Sequence, residues 1–251
     1  MSRRPAALAL LVLLLLVLLA GCSQRPRTAP APSAPASPPP VVYAALGASE
    51  TVGIGTQDPP RQSFPQLLYQ RLPRSAVFYN FGLPGETTAA ALNDELPGAL
   101  AVQPTLVTVW FNVDDMAAGV TVADYESRLD RLVGALRRDG AAQVLVANTP
   151  RLDQLPAYAA CRPNPPPGAV KCPLAGVTLP PPEELDALVA GYNAAVARVA
   201  ARHGAVVVDL FAHGVVLDQH PEYVSSDGLH PSAQGAAAIA AAFAEQVKLG
   251  G

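Results

Sequence analysis

From residue 41 onward, short apolar runs alternate with longer stretches in which apolar residues recur every three or four positions. The runs VVYAAL (41–46), AVFYNF (76–81), TLVTVWF (105–111), AQVLVANT (142–149) and AVVVDLF (205–211) are nearly free of charge. Such continuous apolarity predicts strands buried on both faces, as in a parallel sheet. Between them Tyr125, Leu129, Leu132, Val133 and Leu136 repeat at helical spacing, and Leu185, Leu188, Val189, Tyr192, Val196 and Val199 do so over a longer span. Strands alternating with helices imply right-handed crossovers and an α/β three-layer sandwich, doubly wound, with about five parallel strands.

Composition sharpens this picture. A chain of 251 residues, half of them hydrophobic, can bury one large core. Charged residues make up 15%, the net charge is −3 and the sequence pI is about 5.8, so no basic surface for nucleic acid is expected. The 27 prolines cluster before residue 41 and again at 150–182, marking a linker and an irregular insertion. The folded domain is therefore expected at 41–251, and a monomer is expected.

The first residues follow a different pattern. Arg3 and Arg4 precede an unbroken apolar stretch at 6–20 and then Leu19-Ala20-Gly21-Cys22, the order of a signal peptide with a small-residue cleavage site. The stretch is short for a membrane span, which needs about 20 residues. Leu-Ala-Gly-Cys also resembles the lipobox of bacterial lipoproteins, and that resemblance implies a signal peptide at 1–21, lipidation of Cys22 and a membrane partner through the N-terminal lipid. An ordinary secretory signal or an uncleaved anchor is the alternative. Either way the domain is expected outside the cytoplasm. Cleavage before Cys22 would remove two arginines and no acid, making the chain more negative still. The remainder of 22–40, SQRPRTAPAPSAPASPPP, reads as a Pro-stiffened tether that at roughly 3.1 Å per residue reaches on the order of 50 Å.

With Cys22 assigned, Cys161 and Cys172 remain, and an even pair in an oxidising compartment favours a disulfide. A zinc site is the rival reading, but no His or further Cys stands nearby at ligand spacing.

In doubly wound sheets reactive groups gather beyond the carboxyl ends of the strands. Gly47-Ala48-Ser49 follows the first strand, Gly82-Leu83-Pro84-Gly85 the second and Asn112-Val113-Asp114-Asp115 the third, while Asp227-Gly228-Leu229-His230 follows the fifth after a loop. Acyl transfer by serine needs a base, an acid to orient it, and donors for the oxyanion. Ser49, His230 and Asp227 supply candidates for the first three roles. Alone, the Asp-x-x-His spacing is a weak signal, better read as a turn followed by a helix start.

Taken in order, YAALGASETVGIG, NFGLPGETT, LVTVWFNVDD and SSDGLHPSAQG resemble four blocks of the SGNH, or GDSL, hydrolase superfamily of esterases, lipases, thioesterases and carbohydrate deacetylases. The resemblance spans residues 41–247. It implies a flavodoxin-like sandwich without metal or cofactor, Ser49 as nucleophile, Asp227 as acid, His230 as base, and the amides of Ser49 and Gly82 as oxyanion donors.

Two departures stand out. Ala48 replaces the usual Asp before the nucleophile, with Glu50 on its far side. In the third block, Asp114 stands where the family's oxyanion-hole Asn would be. An ionised Asp has no proton to donate, and losing one donor costs about 10²- to 10³-fold in rate. Two routes remain open: a desolvated, protonated Asp114 donating as Asn would, or Asn112, two residues earlier and on the same side of an extended strand, which is the favoured donor.

The leading expectation is an extracytoplasmic, lipid-anchored serine esterase acting on a small-molecule or glycan-linked ester. A non-catalytic or weakly active binding lipoprotein of the same fold and a carbohydrate O-deacetylase are the alternatives. Tyr79, Trp110 and Tyr192 are expected in the core, and Asn80 at a turn. His203, His213 and His220 are expected at the surface or in loops. Glu86, Thr87 and Thr88 are expected at a helix start. Val52 and Ile54 are expected to line an acyl pocket, and the 150–182 insertion to form a stiff lid or wall over the site.

Overall fold

A computed structural model describes residues 40–174, 179–212 and 219–249. The expectations for the signal segment, Cys22, nearly all of the tether and His213 lie outside those residues.

Five strands form one sheet: β1 (Val42–Gly47), β2 (Val77–Asn80), β3 (Leu106–Trp110), β4 (Gln143–Ala147) and β5 (Val206–Val208), in the order β2-β1-β3-β4-β5. Every pairing is parallel, with Ala45 opposite Thr108 and Thr108 opposite Leu145 across the centre. Successive side chains point to opposite faces, so each central strand feeds two cores. Ala44, Leu46, Val107, Val109, Val144 and Val146 pack beneath the helices Val122–Arg137 and Pro182–His203. Tyr43, Ala45, Leu106, Trp110, Leu145 and Ala147 pack against the helices Phe64–Tyr69 and Ala233–Gln246. The sandwich expected from the apolar runs is the one observed.

Three details differ from expectation. The strands are shorter than the apolar runs, most of all β5, which keeps only three residues of AVVVDLF. β2 is an edge strand, and Val77 and Tyr79 are 43% and 40% exposed, so Tyr79 is not a core aromatic, whereas Trp110 and Tyr192 are. His203 ends a long helix and shares Asp130 with Arg202, in an ion-pair cluster that also joins Arg198 to Glu126; it is a helix–helix tie rather than a loop residue. His220 is a loop residue paired with Glu222.

The insertion is largely ordered into a wall. A 3₁₀ turn at Leu152–Gln154 and a helix at Pro156–Ala160 lead to the Cys161–Cys172 disulfide, whose Cα atoms are 4.8 Å apart. Leu152 and Leu155 pack with Leu185 and Val189 into a third apolar cluster, against which Val113, Met116 and Leu229 lie. The Ala157 amide donates to Gly228 O at 2.9 Å, fixing this wall to the Asp227–His230 loop.

Candidate active site

The short helix Ser49–Val52 begins immediately after β1 and puts Ser49 at the sheet's carboxyl edge. The turn into it is tight. Gly47 has φ +152°, and a Cβ there would lie 2.2 Å from Thr51 Oγ1 and 2.6 Å from Trp110 O, so only glycine fits. Ser49 is 9% exposed, and its amide, in the helix's first turn, has no intrahelical acceptor.

His230 comes from the other end of the chain. Its loop is closed by the Ser225 amide donating to His230 O at 2.8 Å, and Ser232 caps the helix that follows by accepting from the Gln234 and Gly235 amides. Gly55 packs directly on this loop, since a Cβ there would meet Pro231 O at 2.6 Å and His230 Cβ at 2.7 Å.

Three side chains form a continuous hydrogen-bonded chain. Asp227 Oδ2 lies 2.7 Å from His230 Nδ1, and His230 Nε2 lies 3.1 Å from Ser49 Oγ, across 181 residues of sequence. The Leu229 and His230 amides and the Ser225 hydroxyl all donate to Asp227 Oδ1. Burial opposes ionisation of Asp227, but the His230 ring and these donors outweigh it and hold the carboxyl at about 2. A carboxylate at Nδ1 keeps the ring's proton there and leaves Nε2 of the neutral ring as an acceptor facing the hydroxyl. Such an arrangement can take a proton from serine as its oxygen attacks a carbonyl.

Glu50 intrudes on this chain: Ser49 Oγ also donates to its Oε2, at 3.2 Å. Nothing in the sequence signals that contact beyond adjacency.

The third block departs from the strand geometry expected of it. β3 ends at Trp110, and Asn112 is the N-cap of the helix Val113–Ala117, its Oδ1 accepting from the Val113 amide at 2.9 Å. Its Nδ2 is covered from solvent without a partner, so it cannot meet a substrate oxygen unless the cap moves. Asn112, the favoured donor of the two, is thus engaged as a helix cap, while Asp114 lies in the fields of His230 and Glu50. Burial first, then the charges of Glu50, Asp115 and Glu86, push the Asp114 carboxyl up to about 6, partly offset by His230. Asp115 is tied to the second block, accepting from the Thr88 amide at 3.0 Å and the Thr88 hydroxyl at 2.6 Å. Thr87 caps the helix Thr88–Asp94, as expected, and Glu86 is buried just before it.

The Gly82 amide is not idle. It donates to Asn80 Oδ1 at 3.0 Å, while Asn80 Nδ2 donates to Thr51 O at 2.8 Å, so Asn80 fixes its turn and ties it to the Ser49 helix. Glu95 escaped sequence reasoning altogether. It is fully buried, its Oε2 accepts from the Gly47 amide at 3.0 Å, and the Leu83 amide also favours its charged form. Burial nonetheless dominates and pushes its carboxyl up to about 9.

Two cavities adjoin the site. A small one of about 50 Å³ reaches Glu50, Trp110 and His230. A larger one of about 430 Å³ lies between the Val113–Gly119 segment and the insertion. Val52 and Ile54 line neither of them.

Comparison with known proteins gives the same picture. Residues 45–238 match the family model described as GDSL-like Lipase/Acylhydrolase. No curated protein matches the sequence. Among solved structures, a lipase/acylhydrolase from Enterococcus faecalis superposes with a TM-score of 0.62 at 20% identity, covering 82% of this chain and 94% of that one. TesA gives 0.59 at 20% identity, covering 80% and 94%. The psychrotrophic esterase EstA from Pseudoalteromonas, in a structure inhibited by monoethylphosphonate, gives 0.59 at 15% identity, covering 81% and 94%. At these identities the likeness is one of fold.

Proposed function

We propose, from the premise that the chain belongs to the GDSL-like lipase/acylhydrolase family, that it is a serine ester hydrolase in which Ser49 is the nucleophile, His230 the base and Asp227 the orienting acid. The observation that carries this reading is the unbroken chain Asp227–His230–Ser49, with contacts of 2.7 and 3.1 Å. His230 Nε2 takes the hydroxyl proton as Ser49 Oγ bonds to the ester carbonyl carbon. The resulting oxyanion is held by the Ser49 amide, by the Gly82 amide shared with Asn80, and by a protonated Asp114. Collapse breaks the bond to the alcohol, which leaves with the proton from His230. Water then attacks the acyl-enzyme, giving its proton to His230 and releasing the acid and Ser49.

The test is hydrolysis of p-nitrophenyl acetate by the full-length protein beside its Ser49→Ala variant. Turnover in the wild type that falls at least about 10³-fold in the variant is the expected result. Equal, background rates in two folded proteins would refute the reading.

Attachment to a membrane through a lipidated Cys22 belongs to the same proposal and rests on the lipobox-like sequence. Labelled palmitate should enter the wild type and not Cys22→Ala when each is expressed in a bacterium. Equal labelling would exclude it.

A further inference from the structure

The alcohol half of an ester meets a part of the site with its own charge. As the acyl-enzyme forms, His230 Nε2 hands its proton to the departing alcohol oxygen, so the substituent on that oxygen falls beside His230. The small cavity of about 50 Å³ lies there, with His230 and Glu50 both in its lining. Glu50 is also the group 3.2 Å from Ser49 Oγ. Its carboxylate is therefore close to the reacting serine and to the place where the alcohol leaves.

Among the described residues that line this cavity, Glu50 alone is acidic and none is Lys or Arg. Arg151, between two of the lining residues in sequence, is held by Asp153 at 3.0 Å. Asp114, in the field of Glu50, adds negative charge above pH 6, and the one positive charge that the reaction creates is on His230. Much of the remaining wall is apolar or aromatic, with Leu155, Ile239, Trp110 and Tyr223 among its residues. A protonated amine would lose hydrogen bonds to water against such a wall. A quaternary ammonium has no proton to donate, offers methyl groups to the apolar residues, and is attracted by a carboxylate and by aromatic rings. At roughly 10–15 Å³ for each water-sized group, the cavity holds about four of them, the number of heavy atoms in a trimethylammonium.

We propose that Glu50 determines the specificity of the site, and that it selects esters whose alcohol part carries a compact quaternary ammonium group near the ester oxygen. The assignment rests on the ester-hydrolase reading above. The covalent steps are unchanged: Ser49 takes the acyl group, and the cationic alcohol leaves with the proton from His230. The contact between Glu50 and Ser49 then has a use. A carboxylate that slows attack on a neutral ester stabilises a cationic one, so the same charge acts in opposite directions on the two substrates.

Two measurements on the full-length protein test this. The first compares kcat/KM at pH 8 for acetylcholine and for 3,3-dimethylbutyl acetate, in which carbon replaces the charged nitrogen. The ratio of the two should exceed about ten in the wild type and fall at least about fivefold in Glu50→Gln. The fall should come from the cationic ester alone, whereas loss of a merely structural contact would lower both rates alike. If Glu50→Gln fails to fold, Glu50→Ala carries the comparison. The second follows the fluorescence of Trp110, the single tryptophan of the chain, in Ser49→Ala titrated with tetramethylammonium chloride against equal sodium chloride. The change should saturate, and should be absent from Ser49→Ala/Glu50→Gln. Ser49-dependent hydrolysis with no preference for the cationic ester, or a preference that survives the loss of Glu50, would overturn the assignment and leave the esterase standing. A saturable, Glu50-dependent fluorescence change without Ser49-dependent hydrolysis of either ester would instead overturn the ester-hydrolase reading, and with it the assignment of the cation to an alcohol.

Discussion

Glu50 Oε2 lies 3.2 Å from the hydroxyl oxygen of Ser49, its neighbour in the chain. That hydroxyl has one proton, and His230 Nε2 is 3.1 Å away on another side, so the two acceptors compete for it. Glu50 also sets a negative charge beside the place where the proposed oxyanion would form. Glu50→Gln removes the charge and offers the serine oxygen a donor instead. The expected effect is a rise of about fivefold in kcat/KM for p-nitrophenyl acetate near neutral pH, about 1 kcal/mol for one charge at a partly exposed site. A fall in rate would mean that Glu50 assists the serine rather than competing with it.

Asp114 imposes a second, pH-dependent constraint. Its carboxyl titrates at about 6, raised by burial and by Glu50, Asp115 and Glu86 against the opposing field of His230. Below that pH it carries a proton and can donate to an oxyanion; above it, it is a negative charge facing one. Asp114→Asn keeps the donor at every pH. The ratio of kcat/KM in Asp114→Asn to that in wild type should be near unity at pH 5 and grow above pH 6, approaching about 100-fold at pH 8 if the ionised form contributes nothing. A ratio constant from pH 5 to 8 would remove Asp114 from the oxyanion site.

These two carboxylates mark where sequence reasoning stopped. Runs such as LVTVW are legible as doubly buried parallel strands because alternate residues go to alternate cores, and Val107 and Leu106 do so. The exposure of Val77 and Tyr79 is not legible, since it depends on β2 lying at the edge and not on its own composition. Ser49, Asp227 and His230 stand out in the sequence because they follow strand ends and match a known order of blocks, and the structure brings them into one hydrogen-bonded chain. That Asn112 caps a helix could not be read because it turns on β3 ending at Trp110, which a run of apolar residues through Phe111 conceals. Glu95 could not be read because its partner, Gly47, is 48 residues away.

Glu95 leads to a prediction about stability. In an unfolded chain its carboxyl loses the proton near the ordinary value of about 4.3, whereas the folded protein keeps it to about 9. Its folded pKa is raised, so the stability it contributes is fully present at low pH and is lost as pH rises across that window. Glu95→Gln retains an oxygen for the Gly47 amide and cannot ionise. Urea unfolding should show the variant gaining on wild type from near zero at pH 4 to on the order of 3–4 kcal/mol at pH 7. Stability curves that stay parallel over that range would show that the buried carboxyl is not held neutral. Glu95→Leu leaves the Gly47 amide without an acceptor and should cost about 1–3 kcal/mol. It should also lower kcat more than it raises KM, because Gly47 sets the turn that presents Ser49.

The Cys161–Cys172 bridge joins residues 11 apart in sequence within the wall fixed to the Asp227–His230 loop. Val170, inside that segment, lies against the loop: a Cβ at Gly228 would be 2.8 Å from its Cγ2. Opening the bridge frees the segment's ends without removing any group from the Asp227–His230–Ser49 chain. Closing so short a loop is worth about 3 kcal/mol in the chain-entropy model, so the double variant Cys161→Ser/Cys172→Ser should be less stable by up to that amount. Loosening the wall should at the same time change the ratio of kcat/KM for octanoate and acetate p-nitrophenyl esters. A double variant with unchanged stability and an unchanged chain-length profile would mean that the wall is held by Leu152, Leu155 and the Ala157–Gly228 hydrogen bond alone.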